Sequence, residues 1–97
     1  MTTEEHPVAE RIVEVRHKEG LHMRPAMQFV DCANGFESAI QVCKEQQCVD
    51  GKSIMQMTML AATAGTRLKI IARGCDADDA VEALALVLGA AEVTEQP

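Results

Sequence analysis

The chain contains neither tryptophan nor tyrosine, and Phe29 and Phe36 are its only aromatic rings apart from histidine in 97 residues. Its interior therefore cannot be organised around large rings. Nearly half the residues are apolar, so the core has to come from Ile, Leu, Val, Ala and six Met, the last also suited to adaptable contact surfaces. Net positive charge is missing as well: the formal charge is −6, with acidic residues at Glu4, Glu5, around 76–79 and near the C-terminus. This argues against a broad surface for nucleic acid or for an anionic membrane. Arg24, Lys52, Arg67 and Arg73 can still meet a small anion or an acidic partner. No apolar run is long enough to cross a bilayer, and the first eleven residues have no signal-peptide core. The expectation is a soluble, cytoplasmic, monomeric protein folded as one domain, since 97 residues suit one core better than two.

Metal-ligand spacing is also absent. Cys32, Cys43, Cys48 and Cys75 form no CxxC and no Cys/His group of zinc-binding pattern, and no metal or organic cofactor is expected. Cys43 and Cys48 flank "KEQQ" and could face each other across a hairpin. A reducing cytoplasm favours free thiols there.

The chain does contain an ordered series of periodic segments, without repeats or low-complexity tracts. Residues 1 to about 9 read as a polar tail, with His6 in it. "RIVEVRH" alternates as a half-buried strand with Val13 and Val15 inward and His17 at its end. After the loop "KEGLH", the segment "PAMQFVDCAN" carries Ala26, Phe29, Val30 and Ala33 at helical spacing, and Gly35 stops it. "SAIQVC" and "QCVD" read as a hairpin with Ile40, Val42 and Val49 inward. Ser53 is placed as the N-cap of a helix over "SIMQMTMLAAT", ended by Gly65. "RLKIIARG" is a fourth strand with Leu68, Ile70 and Ala72 on one side. Asp76 is an N-cap candidate for a last helix, with Ala80, Leu84, Val87 and Leu88 on one face up to Gly89. The order βαββαβα predicts an α+β, two-layer open-faced sandwich with three helices on one sheet face. Glu14, Arg16, Lys69 and Arg73 are expected on the other, wet face.

In "GLHMRPAMQF", Pro25 suits a first helical turn because its missing N–H is not needed there. The remaining first-turn N–H groups and the helix dipole favour an anion. His22 lies just upstream. Positive charge is penalised at that end of a helix, which favours the neutral imidazole with a lone pair free for nucleophilic attack. Arg24 could pair the oxygens of an incoming phosphoryl group. Spacing alone leaves other roles for His22 open: a cap, a surface residue or a hydrogen-bonding core residue.

Three motifs in order narrow the choice. "GLHMRPA" resembles the GLHARPA-type active-site motif of the histidine-containing phosphocarrier family, HPr, of the bacterial phosphoenolpyruvate:sugar phosphotransferase system. "DGKSIMQM" is similar to the KSIMG segment of that family, and "GTRLKIIARGCDADDAVEALALVL" resembles its last strand, acidic turn and final helix, so that the likeness spans about 11–89. The resemblance implies that His22 takes a phosphoryl group on Nδ1 from phospho-enzyme I and passes it to a IIA component, with Arg24 stabilising the phosphate. Such a protein is a carrier within a relay rather than an enzyme. It also implies that Ser53 is a regulatory site for an ATP-dependent HPr kinase/phosphorylase.

A phosphate on Ser53 would sit at a helix N-terminus, where its charge is tolerated. Its effect would fall on docking, through an apolar patch of Met23, Ile54, Met55 and Met57 beside Lys52. A plain capping role for Ser53 is compatible with this. Met23, Glu19 and Gln56 depart from the usual pattern, all close to the expected partner surface, and bear on partner choice. The alternative function is mainly regulatory, with phosphorylated Ser53 controlling association with a transcription factor or enzyme.

Overall fold

The computed structural model describes residues 7–16 and 18–93, with side chains as far as residue 89. His6 and His17 lie outside the described residues. The elements follow the order β1 (Val8–Glu14), α1 (Met23–Ala33), β2 (Ala39–Lys44), β3 (Gln47–Asp50), α2 (Ile54–Met59), β4 (Arg67–Arg73) and α3 (Ala77–Val93). The strands form one antiparallel sheet in the order β1-β4-β2-β3, so the last strand lies between the first and second.

Alternation decides which sheet face is covered. In β4, Leu68, Ile70 and Ala72 are buried, whereas Arg67 and Arg73 are exposed. Their inward neighbours across the sheet are Ala9, Ile40, Val42 and Val49. The helices close over this face with Ala26, Phe29 and Ala33 from α1, Met57 from α2, and Ala77, Ala80, Val81, Leu84 and Leu88 from α3. Each fully buried Leu, Ile, Met or Phe contributes about 1.5–3 kcal/mol from leaving water. The aliphatic interior anticipated from the composition is the one that forms, with Phe29 as the fully buried ring among the described residues.

Several boundaries differ from the periodic reading, each for a tertiary reason. β1 starts at Val8, inside the segment read as tail, because β4 supplies a pairing partner as far as Val8↔Arg73. α1 starts at Met23, with His22 as N-cap, two residues before Pro25. Proline still fits, since the first four N–H groups of a helix have no intrahelical acceptor. α2 stops at Met59, well short of Gly65, and Ala61 adopts φ 51. α3 runs through Gly89 to Val93. One glycine costs a helix only about 1 kcal/mol relative to alanine.

Asp76 stands at the expected N-cap position of α3, its carbonyl accepting from Ala80 N at 2.9 Å, but its carboxylate turns to the loop after α1, accepting from the backbone N–H of Glu37 and Ser38, each at 2.9 Å, and from Ser38 Oγ. These bonds, the Ser38 hydroxyl first, hold its pKa below the usual carboxylate range. Ser38 is buried, so this carboxylate is what satisfies its polar groups.

The cysteine expectation is corrected in one respect. Cys43 and Cys48 stand opposite each other in β2 and β3 and are joined as a disulfide, while Cys32 and Cys75 are free. Sequence spacing allowed the pairing; antiparallel register produces it.

Candidate functional site

The approach to α1 is shaped by Gly20. It adopts φ +79, and a Cβ there would lie 2.6 Å from the Ala62 carbonyl oxygen. That close approach lets Leu21 N donate to Ala62 O at 2.8 Å while the Leu21 side chain enters the core. His22 N then donates to Gly20 O at 3.0 Å. The imidazole is consequently carried on a loop clamped to the segment after α2, and its ring is exposed.

His22 is the N-cap of α1 by its backbone, and its side chain makes no capping bond. Ala26 N closes the first turn on His22 O at 3.0 Å, and Pro25 has no N–H to place. Among the described residues the N–H groups of Met23 and Arg24 have no protein acceptor, and they directly follow the residue that carries the imidazole. Glu19 Oε1 lies 3.7 Å from His22 Nε2, a contact that is ionic only when the ring is protonated. Nδ1 has no protein partner among the described residues. Arg24 is exposed next to it in sequence, with a guanidinium free of protein partners in the same sense. The arrangement offers one ring nitrogen, two backbone donors, a helix N-terminus and an exposed cation to an incoming anion.

Ser53 occupies the corresponding place at α2. Its Oγ accepts from Gln56 N at 3.3 Å, which bears out the predicted cap. Its own N–H donates to Asp50 O at 3.1 Å. Between the two helices, Met23, Met27, Val30, Ile54, Met55 and Thr58 line an open apolar depression, with Asp31 at its rim. Met55 is the most open of these, at 72% exposure.

Two members of the expected docking patch need correction. Met57 has 0% exposure and belongs to the core, because its position on α2 faces the sheet and not the solvent. Lys52 is half-buried and donates through Nζ to Phe36 O at 2.8 Å, tying two loops together. One residue was missed, and the bonding of another was not foreseen. Met27 stands one helical turn after Met23, an i, i+4 relation that the pattern could have supplied. Gln56, named only as a departure from the usual pattern, accepts from Asp50 N through Oε1 at 2.9 Å, a bond across the turn between β3 and α2 that periodicity does not signal. Among the described residues no group of three or more His, Cys, Asp or Glu side chains could hold a metal. No helix among them is long and apolar enough to cross a membrane.

An exposed histidine on an α1 cap above an antiparallel open-faced sheet defines a class, and comparison with known proteins gives the same one. Residues 9–89 match the family described as the PTS HPr component phosphorylation site. The chain is 47% identical over 73 residues to the HPr-like protein Crh of Bacillus subtilis strain 168, covering 75% of this chain and 86% of that protein. It is 40% identical over 72 residues to the phosphocarrier protein HPr of Neisseria meningitidis serogroup A, covering 74% and 81%. The crystal structure of HPr-C-His from Thermoanaerobacter tengcongensis superposes with a TM-score of 0.83 at 36% identity, covering 91% of this chain and 99% of that one. The chain belongs to the HPr family of phosphocarrier proteins of the phosphotransferase system.

Proposed function

We propose that the chain acts as one phosphocarrier domain in the cytoplasm, taking a phosphoryl group on His22 from phospho-enzyme I and passing it to a IIA component. The observation that carries this reading is the exposed His22 ring at the α1 N-terminus, directly followed by the unpartnered N–H groups of Met23 and Arg24. Because Nε2 is the nitrogen turned towards Glu19, Nδ1 is the one left to attack phosphorus. As the new N–P bond forms, the bond from phosphorus to its donor breaks and the electron pair leaves with the donor. The ring then carries phosphorus on Nδ1 and a proton on Nε2, a cation that the Glu19 carboxylate balances. Phosphoryl oxygens meet the two N–H groups and the Arg24 guanidinium. Handing the group to the next protein reverses these steps, so no group of the chain is consumed. Met23, Met27, Ile54 and Met55 provide the docking surface. Incubation with phosphoenolpyruvate and enzyme I is expected to give an acid-labile, alkali-stable label that His22→Ala abolishes. A label that persists in that variant would remove His22 from the role.

A regulatory role for Ser53 is the second reading, supported by its half-buried cap position next to the same depression and by the likeness to Crh. Phosphorylation by an HPr kinase/phosphorylase would place two negative charges at the edge of the apolar surface and weaken docking to an acidic partner. Such a phosphate would come from ATP and survive acid, and Ser53→Ala should eliminate it. An unchanged ATP-dependent label in Ser53→Ala would defeat this reading alone.

A further inference from the structure

The Cys43–Cys48 disulfide lies on the sheet face opposite the helices and outside the His22 site. Antiparallel register sets the two residues against each other one pair in from the turn at Glu45 and Gln46, with Glu45 at φ 56. Val42 and Val49, the next pair along, point into the core, so the disulfide points out. Cys43 is covered, whereas Cys48 on the edge strand β3 is exposed. Both border a shallow depression with Ile12, Arg67, Lys69 and Ile71, and with Glu45 at the turn.

We propose that Cys43–Cys48 is a thiol–disulfide exchange site for an external dithiol reductant, and that its redox state sets how firmly β3 holds the turn carrying Ser53. A thiolate of the reductant attacks the exposed Cys48 Sγ. The Cys43–Cys48 bond breaks and its electron pair leaves on Cys43, which takes a proton from water. The second thiolate of the reductant attacks the mixed disulfide, Cys48 leaves and is protonated in turn, and the reductant departs as its own disulfide. Two electrons and two protons have then been delivered. Lys69 is paired with Cys43 in the β2–β4 register, and with Arg67 it supplies positive charge near the leaving sulfur; Lys69 Nζ also lies 3.8 Å from Glu10 Oε1.

The other cysteines do not serve as internal partners. Ala39 pairs with Arg73 and Cys43 with Lys69, so Cys75, beyond Arg73, is four or more strand positions away, on the order of 13 Å. Cys32 lies on α1, in the opposite layer, and burial pushes its thiol up. The dithiol must come from outside.

The consequence is local because the closed loop is short: Cys43 and Cys48 are five positions apart. β3 has four residues and, among the described residues, pairs with β2 alone. Two residues after Cys48, Asp50 organises the turn into α2. Its N–H donates to Gln56 Oε1, its Oδ1 accepts from Lys52 N, and its carbonyl accepts from Ser53 N. The disulfide fixes the strand from which these bonds hang. On reduction, β3 keeps its β2 ladder, the buried Val49 and the Asp50–Gln56 bond, but loses its covalent tie to β2.

The test uses the full chain with Cys32→Ser and Cys75→Ser, so that alkylation reports on the disulfide alone, and with no phosphoryl donor present, so that the His22 and Ser53 readings are not at stake. Across reduced-to-oxidised dithiothreitol ratios, intact-mass spectrometry after iodoacetamide should show two labels appearing together and reversibly. Hydrogen–deuterium exchange over 47–57 should quicken by about threefold or more in the dithiol form, with 24–33 and 78–88 unchanged, as expected for local opening. The further variant with Cys43→Ser and Cys48→Ser should exchange like the dithiol form. The proposal is overturned if no ratio forms the disulfide, if exchange over 47–57 is the same in both forms, or if it rises equally throughout the chain.

Discussion

Met55 and Met57, two residues apart on the short helix α2, should behave in opposite ways. Met57 is fully buried among Phe29, Leu60, Leu68 and Ile70 in the core cluster, and Met57→Ala removes the side chain beyond Cβ from a packed interior. Such a truncation costs about 2–5 kcal/mol, from lost transfer energy plus the cavity left behind. At roughly 4–8 °C per kcal/mol for a domain of this size, the melting temperature should fall by at least about 8 °C. Met55 has 72% exposure, so Met55→Ala should leave stability within about 0.5 kcal/mol. Its effect belongs to docking. Burying a methionine against a partner is worth about 1.5–3 kcal/mol, which weakens binding about tenfold or more when lost. Calorimetric melting of both variants and titration of each folded variant with enzyme I separate the two effects. A normal melting temperature for Met57→Ala, or a Met55→Ala variant that melts like it and binds enzyme I as the unmodified chain does, would refute the assignment of these faces.

Gly20→Ala combines a positive φ with a contact of 2.6 Å on a backbone oxygen, so it should destabilise by about 2 kcal/mol or more and slow phosphoryl labelling of His22, measured by denaturant melts and initial labelling rates. Gln56→Ala removes the acceptor for Asp50 N and should cost about 0.5–1.5 kcal/mol, with faster amide exchange at Asp50; equal exchange would show that the bond is not formed in solution. Asp76 is more acidic in the folded chain than the roughly 4 of an unfolded aspartate, so its contribution is complete above that value and is lost as pH falls through the lower, folded one. Asp76→Asn should therefore lower stability at neutral pH and flatten the fall of stability below about pH 4, in urea midpoints measured against pH.

Local periodicity made most of the architecture legible. Alternation in "RLKIIAR" located the inner face of β4, the apolar spacing after Pro25 located α1, and the serine before "IMQM" located the α2 cap. These are consequences of the fixed two-residue and 3.6-residue repeats, which any single segment displays by itself. The three ordered motifs, not spacing alone, made His22 more than a loop histidine.

What sequence patterns left undecided depends on partners distant along the chain. The first strand begins at Val8 because Arg73 is there to pair with it, and Asp76 serves the loop at 37–38 because the end of β4 delivers it to that loop. Met57 and Met55 are chemically alike; only the sheet beneath α2 makes one core and the other surface. Cys43 and Cys48 were placed within reach by their spacing, yet whether they meet is a question of strand register, which hydrogen bonding and the buried Val42–Val49 pair settle together. By itself the sequence determined the order of elements and the aliphatic core, because each is written in local spacing or composition, and the candidate histidine through the resemblance of three ordered motifs. Tertiary structure decided which faces are buried, which carboxylate meets which donor and which sulfurs pair, because those outcomes are set by contacts between residues far apart in the chain.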